Sequence, residues 1–169
     1  SYAEREVYPK AAARAINRTA TTTRKEAVRA IAKHMGVRQK DVRDSTRIHR
    51  ARPSVSPQAV IEFRGRSLNL IRFKARQIKR GVSAAPWGRR RVFPMAFIAN
   101  IRGSRAVMVR KKIGGKRVGR LPIRPVRGPG VAKTAADEAL ARARRETVAR
   151  VLPERLEREL AFYASRLSR

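Results

Sequence analysis

Apolar positions in the first part of the chain recur at the spacing of an α-helix. Over residues 3–35 alanine is frequent, and small or apolar side chains return every three or four positions. Gly36 is suited to stop that helix, because glycine readily adopts the left-handed conformation found just after a helix. A short second helix is expected at about residues 38–44, so residues 1–44 are predicted to be helical. The predicted stripe of the long helix comprises Val7, Ala11, Ala15, Ile16, Ala20, Ala27, Ile31 and Met35.

From residue 45 onward the spacing changes to the alternation typical of β-strands. Strand candidates are the segments "TRIHRAR", "QAVIEFRG", "LNLIRFKARQI", "MAFIANI" and "RAVMVRK". Segments rich in glycine and proline, such as "RPSVSP", "APWG" and "GGKRVG", separate them as turns. The pattern predicts a meandering, mostly antiparallel sheet or a small barrel over residues 45–125.

The last part of the chain is predicted to be extended and then helical. The segment "LPIRPVRGPG" is expected to lack regular structure, because its prolines and glycines disfavour helix and sheet. A second long helix is predicted over residues 131–169, with Thr134 and Asp137 as a variant of the capping box. Pro153 is expected to kink or restart this helix. Its apolar stripe comprises Leu140, Ala143, Thr147, Val148, Val151, Leu152, Leu156, Leu160, Tyr163 and Leu167.

These elements predict an α+β fold with a long N-terminal helix, a central mostly antiparallel β-sheet or small barrel, and a long C-terminal helix. The chain has 169 residues, enough for one domain with a core and too few to expect two. A single domain over residues 1–169 is therefore predicted, with a helical part (1–44), a β-rich basic core with loops (45–125) and a C-terminal helix (131–169). The two long helices are expected either to cover one face of the sheet or to pack against each other.

Charge is the strongest compositional signal. The net charge of +31 is unevenly placed, with +8 in residues 1–62, +21 in residues 63–136 and +2 in residues 137–169. The middle segment has 21 basic and no acidic side chains, so its cations have no partner within the segment. They must face water, counter-ions or a polyanion, of which we favour the polyanion. With 42% apolar residues, the chain is nevertheless not a disordered basic tail.

Few residues are suited to catalysis. His34 and His49 lack a carboxylate partner that spacing alone would place beside them, and we interpret both as surface or boundary histidines. A nuclease would need clustered carboxylates to hold Mg²⁺, for which Asp41, Asp44 and Glu62 are the candidates. The basic segment "KKIGGKRVGR" lacks the Gly-Lys-Ser/Thr ending of a phosphate-binding loop.

Other classes of protein are disfavoured by what the composition lacks. The absence of cysteine excludes disulfides and zinc sites built from cysteine. No apolar run is long enough to span a bilayer. We therefore predict no enzymatic activity, no catalytic residues, no metal, no cofactor and no membrane association.

The segment "AIAKHMGVRQKDV" has the spacing of a helix-turn-helix, which would read DNA. Ala32 and Gly36 lie four residues apart, and Val42 follows six later. The helix before Gly36 is too long for that motif, and Asp41 and Asp44 would repel phosphates. We expect instead a helix end followed by a one-turn helix that leads into the sheet.

Three blocks of the sequence, taken in order, point to one family. The block "AAARAINRTATTTRKEAVRAIAKHMGVRQKDVRDSTRIHRA" contains an A-x-N-R-T-A core and a K-x-x-R turn. The blocks "IRFKARQIKRGVSAAPWGRRRVFPMAFIANI" and "VMVRK" with "LPIRPVRGPGVAK" follow it. Together they resemble the prophage minor tail protein Z family, the tail completion proteins of long-tailed bacteriophages. Matching positions are Ala15, Asn17, Arg18, Thr19, Ala20, Lys40, Arg43, Phe73, Ala75, Arg76, Gly81, Val82, Phe97 and Ile98.

The resemblance implies a structural protein of the virion, in the neck of the phage. Such proteins complete the tail at its head-proximal end, mediate head–tail joining and surround the DNA channel. The implied partners are further copies in a homo-oligomeric ring, expected to be a hexamer, with tail terminator or tube proteins, head-side connector or adaptor proteins, and phage genomic DNA in the lumen. The implied location is the virion, with the host cytoplasm during assembly.

Two basic loops are expected to face DNA, because contacts to its backbone need cations but no sequence readout. The interpretation that they grip acidic neighbouring subunits stays open. The predicted polyanion-facing residues are Lys79, Arg80, Arg89, Arg90, Arg91, Arg110, Lys111, Lys112, Lys116, Arg117 and Arg120. The terminal helices are expected to pack subunits together through Ile16, Ile31, Leu140, Val148, Leu156 and Leu160.

The number of cations is too large for DNA alone to neutralise. A compact chain of this length spans about 40 Å, a length over which duplex DNA carries about 24 phosphates. One subunit's +31 already exceeds that, and a ring multiplies it. Most basic residues of a ring must therefore meet acidic neighbouring proteins or solvent.

The alternative function is that of a cellular nucleic-acid-binding protein, either sequence-nonspecific or of ribosomal type. A DNA-reading regulator would prefer one duplex strongly over random DNA, and an RNA binder would use exposed aromatic side chains for stacking. Only 5% of the residues are aromatic, and Trp87 alone lies outside the apolar stripes.

Overall fold

The chain divides into two compact units, each built from separate parts of the sequence. The first, here called the helical unit, draws on Ser1–Ala30, Arg43–Arg64 and Ala135–Arg169. The second, the sheet unit, draws on Ile31–Val42 and Gly65–Thr134. A single domain over the whole chain stays a prediction. The computed structural model describes residues 7–54, 56–65, 67–110, 112–113, 116–117, 119 and 122–167.

The α+β fold class is confirmed, with a long helix near each end of the chain and antiparallel strands between them. Among the described residues the strands form small open sheets, and none closes into a barrel. Every described helix is too short or too polar to cross a membrane. The helical unit contains α1 (Tyr8–Met35, whose last turn lies in the sheet unit), β1 (Thr46–His49), β2 (Val60–Phe63) and α4 (Glu138–Leu167).

The two long helices of the helical unit pack together and run antiparallel. Thr147, in the first half of α4, donates a hydrogen bond to Glu26 in the second half of α1 at 2.7 Å. Glu159, further along α4, pairs with Arg18, earlier in α1, at 2.8 Å. Small side chains such as Ala15, which is fully buried, line α1 and let a neighbour approach closely. The expected packing of the two helices against each other is therefore found within this unit.

The hairpin of the helical unit joins β1 to β2 in antiparallel register, with Thr46 opposite Phe63 and His49 opposite Val60. The chain just after β1 is fixed to α1 by the side-chain amide of Asn17. Its Nδ2 donates to the carbonyl of Ala51 at 2.9 Å, and its Oδ1 accepts from the Ala51 N–H at 2.8 Å.

The sheet unit is built from short antiparallel strands with two short helices. The strands are β3 (Ser67–Asn69), β4 (Arg76–Ile78), β5 (Gly81–Ala84), β6 (Arg91–Pro94), β7 (Ala96–Ile101), β8 (Ser104–Arg110), β9 (Lys112–Ile113), β10 (Lys116–Arg117), β11 (Ile123–Pro125) and β12 (Arg127–Gly130). They form sheets with the strand orders β4-β5-β6, β11-β8-β7, β12-β3 and β10-β9. The helices are α2 (Gln39–Arg43) and α3 (Val131–Ala135).

The core of the sheet unit contains large apolar side chains in addition to buried alanines. Each of its main members is fully buried. Burial of such a side chain stabilises a fold by about 1.5–3 kcal/mol relative to leaving it in water. The fully buried large residues are Ile31, Met35, Val42, Leu70, Phe73, Val82, Val107 and Val131.

The predicted strand over "LNLIRFKARQI" is wrong, because the chain turns in its middle. Strand β3 ends at Asn69, a 3₁₀ turn (Leu70–Arg72) follows, and β4 begins at Arg76. The Asn69 side chain accepts a hydrogen bond from the Ile71 N–H at 3.0 Å and so caps the turn. The turn sends both Leu70 and Phe73 into the core, which alternation along one strand does not do.

Two further predictions about strands need correction. Strands β5 and β6 had not been predicted, although β5 is buried along its whole length as the central strand of its sheet. The segment "LPIRPVRGPG" is extended as expected, but it forms β11 and β12 rather than irregular chain. Its prolines are tolerated there because both strands lie at sheet edges, where a missing N–H breaks no ladder.

The C-terminal helix begins later than predicted. Thr134 lies inside α3 and donates to the carbonyl of Gly130 at 2.9 Å, so it does not cap the long helix. Asp137 caps α4 instead, accepting from the N–H of Ala139 at 3.1 Å. Pro153 lies within α4, which continues through it without restarting.

The end of α1 confirms the interpretation of the opening motif as a helix end. Gly36 has φ +75°, and its N–H donates to the carbonyl of Ala32 at 2.9 Å. The one-turn helix α2 follows and leads into β1. The segment therefore ends a helix and turns the chain, as expected.

Candidate polyanion-binding surfaces

The predicted polyanion-facing residues lie in the sheet unit, and four of them lie at the two ends of the sheet β4-β5-β6. Lys79 and Arg80 form the turn between β4 and β5, whereas Arg89 and Arg90 precede β6 at the other end of β5. All of these side chains are exposed, as are Arg91 and Arg110. Lys111 and Arg120 lie outside the described residues, and only the backbone of Lys112, Lys116 and Arg117 is described.

Two of these arginines are held by neighbours. Arg90 donates to the hydroxyl of Ser83 at 3.1 Å. The guanidinium of Arg110 lies over the ring of Phe97, 5.5 Å from its centroid, in a cation–π contact. Both keep exposed positions in which further donors face solvent.

One face of the sheet β4-β5-β6 combines apolar and basic side chains. In the register of this sheet, Ile78 and Val92 lie on the same face, two rows apart, and both are exposed. Arg76, in the same row as Val92, is also exposed. An apolar centre with cations beside it is suited to a protein partner with an acidic rim.

The residues predicted to pack subunits differ in exposure. Ile31 is fully buried within its own sheet unit. Val148 is 37% exposed, while the others are half-buried on the two long helices. Those half-buried residues are Ile16, Leu140, Leu156 and Leu160.

The helical unit contains a basic cleft that the sequence analysis did not identify. It has a volume of about 590 Å³ and is lined by polar side chains alone. Five of the lining residues are arginines: two from α1, two from α4 and one from the chain after β1. This arginine cleft is lined by Arg14, Asn17, Arg18, Thr21, Thr22, Arg50, Arg155 and Arg158.

Helix geometry explains how these arginines come together. Arg14 and Arg18 are four residues apart on α1, so they share one face, and Arg155 and Arg158 share a face of α4. Antiparallel packing then brings the two pairs to the same place. Arg50 joins them because the amide of Asn17 ties the neighbouring Ala51 to α1.

A buried carboxylate fixes the α1 side of the arginine cleft. Glu159, whose side chain is 4% exposed, pairs with Arg14 at 3.2 Å and with Arg18 at 2.8 Å. Arg14 also donates to the hydroxyl of Tyr163 at 3.3 Å. The Tyr163 hydrogen bond and the charge of Glu159 raise the pKa of Arg14 above its ordinary value.

The α4 side of the arginine cleft is held in a similar way. Arg155 donates to the hydroxyl of Thr22 at 2.8 Å, and Arg158 pairs with Glu154 at 2.5 Å. Arg50 makes no hydrogen bond or ion pair within the part of the chain that the structure describes. The guanidinium groups therefore converge on one cleft while keeping donors for a ligand.

The signal for this cleft is present in the sequence but weak. The residues that form it come from segments with modest net charge, and 137–169 carries only +2. The sequence shows that Arg14 and Arg18 are four residues apart and that Arg155 and Arg158 are three apart, so each pair shares one face of a helix. Their convergence depends on the antiparallel register of the helices, which composition does not reveal.

Two of the three carboxylates considered for a nuclease, Asp41 and Glu62, are engaged with basic side chains. Asp41 is buried in the sheet unit and pairs with Arg72 at 3.0 Å. Glu62 accepts from Arg64 at 2.6 Å and lies 2.8 Å from Nε2 of His49. The hydrogen bond from Arg64, which has the largest effect, and that with His49 lower the pKa of Glu62 to about 2. In the described ranges, no group of three His, Cys, Asp or Glu residues is placed to hold a metal ion.

Comparison with known proteins gives one match. A family model described as prophage minor tail protein Z matches residues 2–167 of the 169-residue chain. The comparisons with curated proteins and with solved structures found no significant match. The family match covers both units and extends beyond the three blocks that carry the resemblance.

Proposed function

Since this chain belongs to the prophage minor tail protein Z family, we propose that it completes the phage tail at its head-proximal end. In this position it mediates head–tail joining and surrounds the DNA channel as one subunit of a ring, most simply a hexamer on the sixfold tail tube. The family itself supports a structural role in the phage tail. The observation that carries the proposal is the family match over almost the whole chain.

The exposed cations of the sheet unit support a joint with acidic neighbours. Residues 63–136 contain no acidic side chain, and the described arginines of its loops project into solvent. The apolar positions Ile78 and Val92 give the same sheet a surface for a protein partner. Tail tube or terminator subunits and head-side connector subunits with acidic faces are the partners that fit this surface.

Phage DNA in the lumen neutralises a smaller share of the positive charge of the ring than the neighbouring proteins do. Duplex DNA presents about one charge per 1.7 Å of its axis, far fewer than a ring of subunits each carrying +31. Contacts with DNA are therefore made by a subset of the basic residues. The remainder face acidic proteins, and the joint is expected to weaken steeply with salt.

The proposal is tested by imaging phage tails assembled with and without this chain. Without it, tails of full length are expected to accumulate beside filled heads, and adding the purified protein restores joining. Joining is then measured across a salt series, where a steep loss above physiological ionic strength is expected. Tails that join heads normally in its absence, or a joint insensitive to salt, would contradict the proposal.

The alternative, a cellular nucleic-acid-binding protein, is favoured by the net charge alone. It predicts binding to a cellular nucleic acid in cells that make no phage tails. A preference of several orders of magnitude for one duplex over random DNA would favour it, because a tail protein needs no base readout.

A further inference from the structure

The arginine cleft of the helical unit has no role in the proposed function as stated. We propose that it binds the phosphodiester backbone of duplex DNA, with the guanidinium groups of Arg18, Arg50, Arg155 and Arg158 as donors to phosphate oxygens. This goes beyond the proposed function, because it assigns a site in the helical unit and holds wherever in the virion the protein lies.

The donors of the cleft are suited to phosphate. A guanidinium carries five N–H donors in a planar fork, which matches phosphate oxygens better than an ammonium does. The side chain of Arg50 has no partner among the described residues, and the side chain of Arg18 is 61% exposed although one of its nitrogens pairs with Glu159. Arg155 commits one nitrogen to Thr22, and its guanidinium has further N–H donors.

The cleft is ordered before a ligand arrives. Arg18 is held by the buried Glu159, Arg155 by Thr22, and Arg158 by Glu154. Immobilising a long side chain on binding costs about 0.5–1.5 kcal/mol, and these contacts reduce that cost. Such preorganisation is expected of a binding site and not of a solvated row of cations.

The charge balance of the cleft leaves an excess of cations. Its five arginines face two carboxylates, Glu154 and Glu159, which leaves three positive charges. Glu159 is buried beneath the arginines, so it does not present a negative surface to a ligand. Glu154 is exposed but is already paired with Arg158.

The lining favours a nucleic-acid backbone over a protein. All eight lining residues are polar, whereas the centre of a protein–protein interface is apolar and often aromatic. Protein–DNA interfaces are more polar and strongly positive. No lining residue is aromatic, so the cleft has no platform on which single-stranded bases would stack.

The spacing of the arginines also fits a duplex strand. Arg155 and Arg158 are three residues apart, about 4.5 Å along the axis of α4. One strand of duplex DNA carries a phosphate every 3.4 Å or so of the axis, so these two arginines are spaced to contact neighbouring phosphates. Arg18 and Arg50 line the same cleft and are placed in the proposal at the phosphates beside them.

The test measures binding of the full chain to a fluorescein-labelled random duplex by fluorescence anisotropy, at several KCl concentrations. The variant Arg155→Gln/Arg158→Gln removes two cations of the cleft. Its matched control, Arg142→Gln/Arg145→Gln, removes two cations with the same spacing from the same helix but outside the cleft. Circular dichroism confirms that each variant is folded.

We expect the cleft variant to bind the duplex about tenfold more weakly, with the slope of log K against log salt reduced by about 2. The control is expected to change affinity less than about twofold. Arg50→Gln, which removes no contact within the described part of the chain, is expected to weaken binding about threefold. If the double variant does not fold, the affinity of the Arg50→Gln variant decides between the outcomes.

Three results would overturn the inference. If the cleft variant and its control lose affinity for the duplex equally, the loss reflects the overall charge of the protein and not the cleft. Displacement of the duplex by polyglutamate at equal charge concentration would point to an acidic protein as the ligand. Tripolyphosphate binding that depends on the cleft, with duplex binding unchanged, would assign the site to free phosphate. Tail assembly is scored separately, so failure here leaves the proposed tail role standing.

Discussion

Asn69 binds both backbone groups of Val107, although the two residues are far apart in sequence. Its Oδ1 accepts from the Val107 N–H at 2.8 Å, and its Nδ2 donates to the Val107 carbonyl at 3.0 Å. The same carbonyl accepts from the N–H of Val126 at 2.9 Å. One side-chain amide therefore joins the end of β3 to the middle of β8, next to the fully buried Val107 side chain.

Replacing Asn69 with alanine is expected to destabilise the protein by about 2–4 kcal/mol. The change removes three hydrogen bonds and leaves the N–H groups of Val107 and Ile71 without partners, while the Val107 carbonyl keeps its bond from Val126. Each backbone group left unpaired in the interior costs about 1–3 kcal/mol. Chemical denaturation monitored by circular dichroism measures the loss. Asn100→Ala, at an exposed strand position, is the control and is expected to change stability by less than about 0.5 kcal/mol. Similar effects of the two substitutions would contradict this role of Asn69.

Asn69 also shows why part of the sheet unit was not predicted. The alternation of Leu68, Leu70 and their neighbours matches a strand, but the chain turns at Leu70 to place Phe73 in the core. The cap that stabilises this turn depends on β8, almost 40 residues later, so local pattern does not reveal it. The long helices, by contrast, were predicted because their stripes and the stop at Gly36 are local signals.

The two candidate surfaces differ in the same way, because local sequence predicts the basic loops but not the arginine cleft. The basic loops around Arg90 were predicted because they lie in a continuous segment without acidic residues. The arginine cleft was missed because its cations come from three segments and are interspersed with carboxylates. Only the antiparallel contact of the helices, seen in the pairing of Glu159 with Arg14 and Arg18, brings them together.

Gly81 is expected to be among the positions least tolerant of a side chain. Its φ is +143°, and a Cβ there would overlap the carbonyl oxygen of Phe93 on the adjacent strand. Gly81→Ala is expected to cost about 3 kcal/mol or more, from backbone strain and overpacking together. Gly103→Ala, at φ +77° with open space around the Cβ, is expected to cost about 1 kcal/mol. Thermal unfolding compares the two variants, and equal melting temperatures would contradict the overlap of a Cβ at position 81 with the Phe93 carbonyl oxygen.

Glu159 is expected to stabilise the packing of α1 on α4. Its buried carboxylate pairs with Arg14 and Arg18, and Glu159→Gln would leave these contacts without the negative charge. Because both arginines are about half exposed, the expected loss is about 1–2 kcal/mol rather than that of a fully buried pair. Glu157→Gln, an exposed position on the same helix, serves as the control in urea denaturation. A loss no greater than that of the control would show that the pairs contribute little.

The isolated protein is expected to remain monomeric until it meets the end of a tail. The predicted packing stripes are rich in alanine, which buries little apolar area, and Ala11 and Ala15 are already fully buried within the chain. Light scattering of purified protein at micromolar concentration should therefore give the mass of one chain. A stable hexamer in solution would contradict this expectation while agreeing with a ring.

The Glu62 carboxyl is expected to titrate well below the usual range of glutamate. The hydrogen bonds from Arg64 and His49 lower its pKa from 4.5 to about 2. Because the pKa is lower in the folded state, the stabilisation is fully present above about pH 4.5 and is lost as the pH falls towards 2. Carbon-13 NMR of the side-chain carboxyl should show a midpoint near 2, and Arg64→Ala should raise that midpoint towards 4.5. Arg142→Ala, which removes an ion pair with Glu146 on α4, should leave it unchanged. A Glu62 midpoint near 4.5 in the unmodified protein would show that the cluster does not persist in solution.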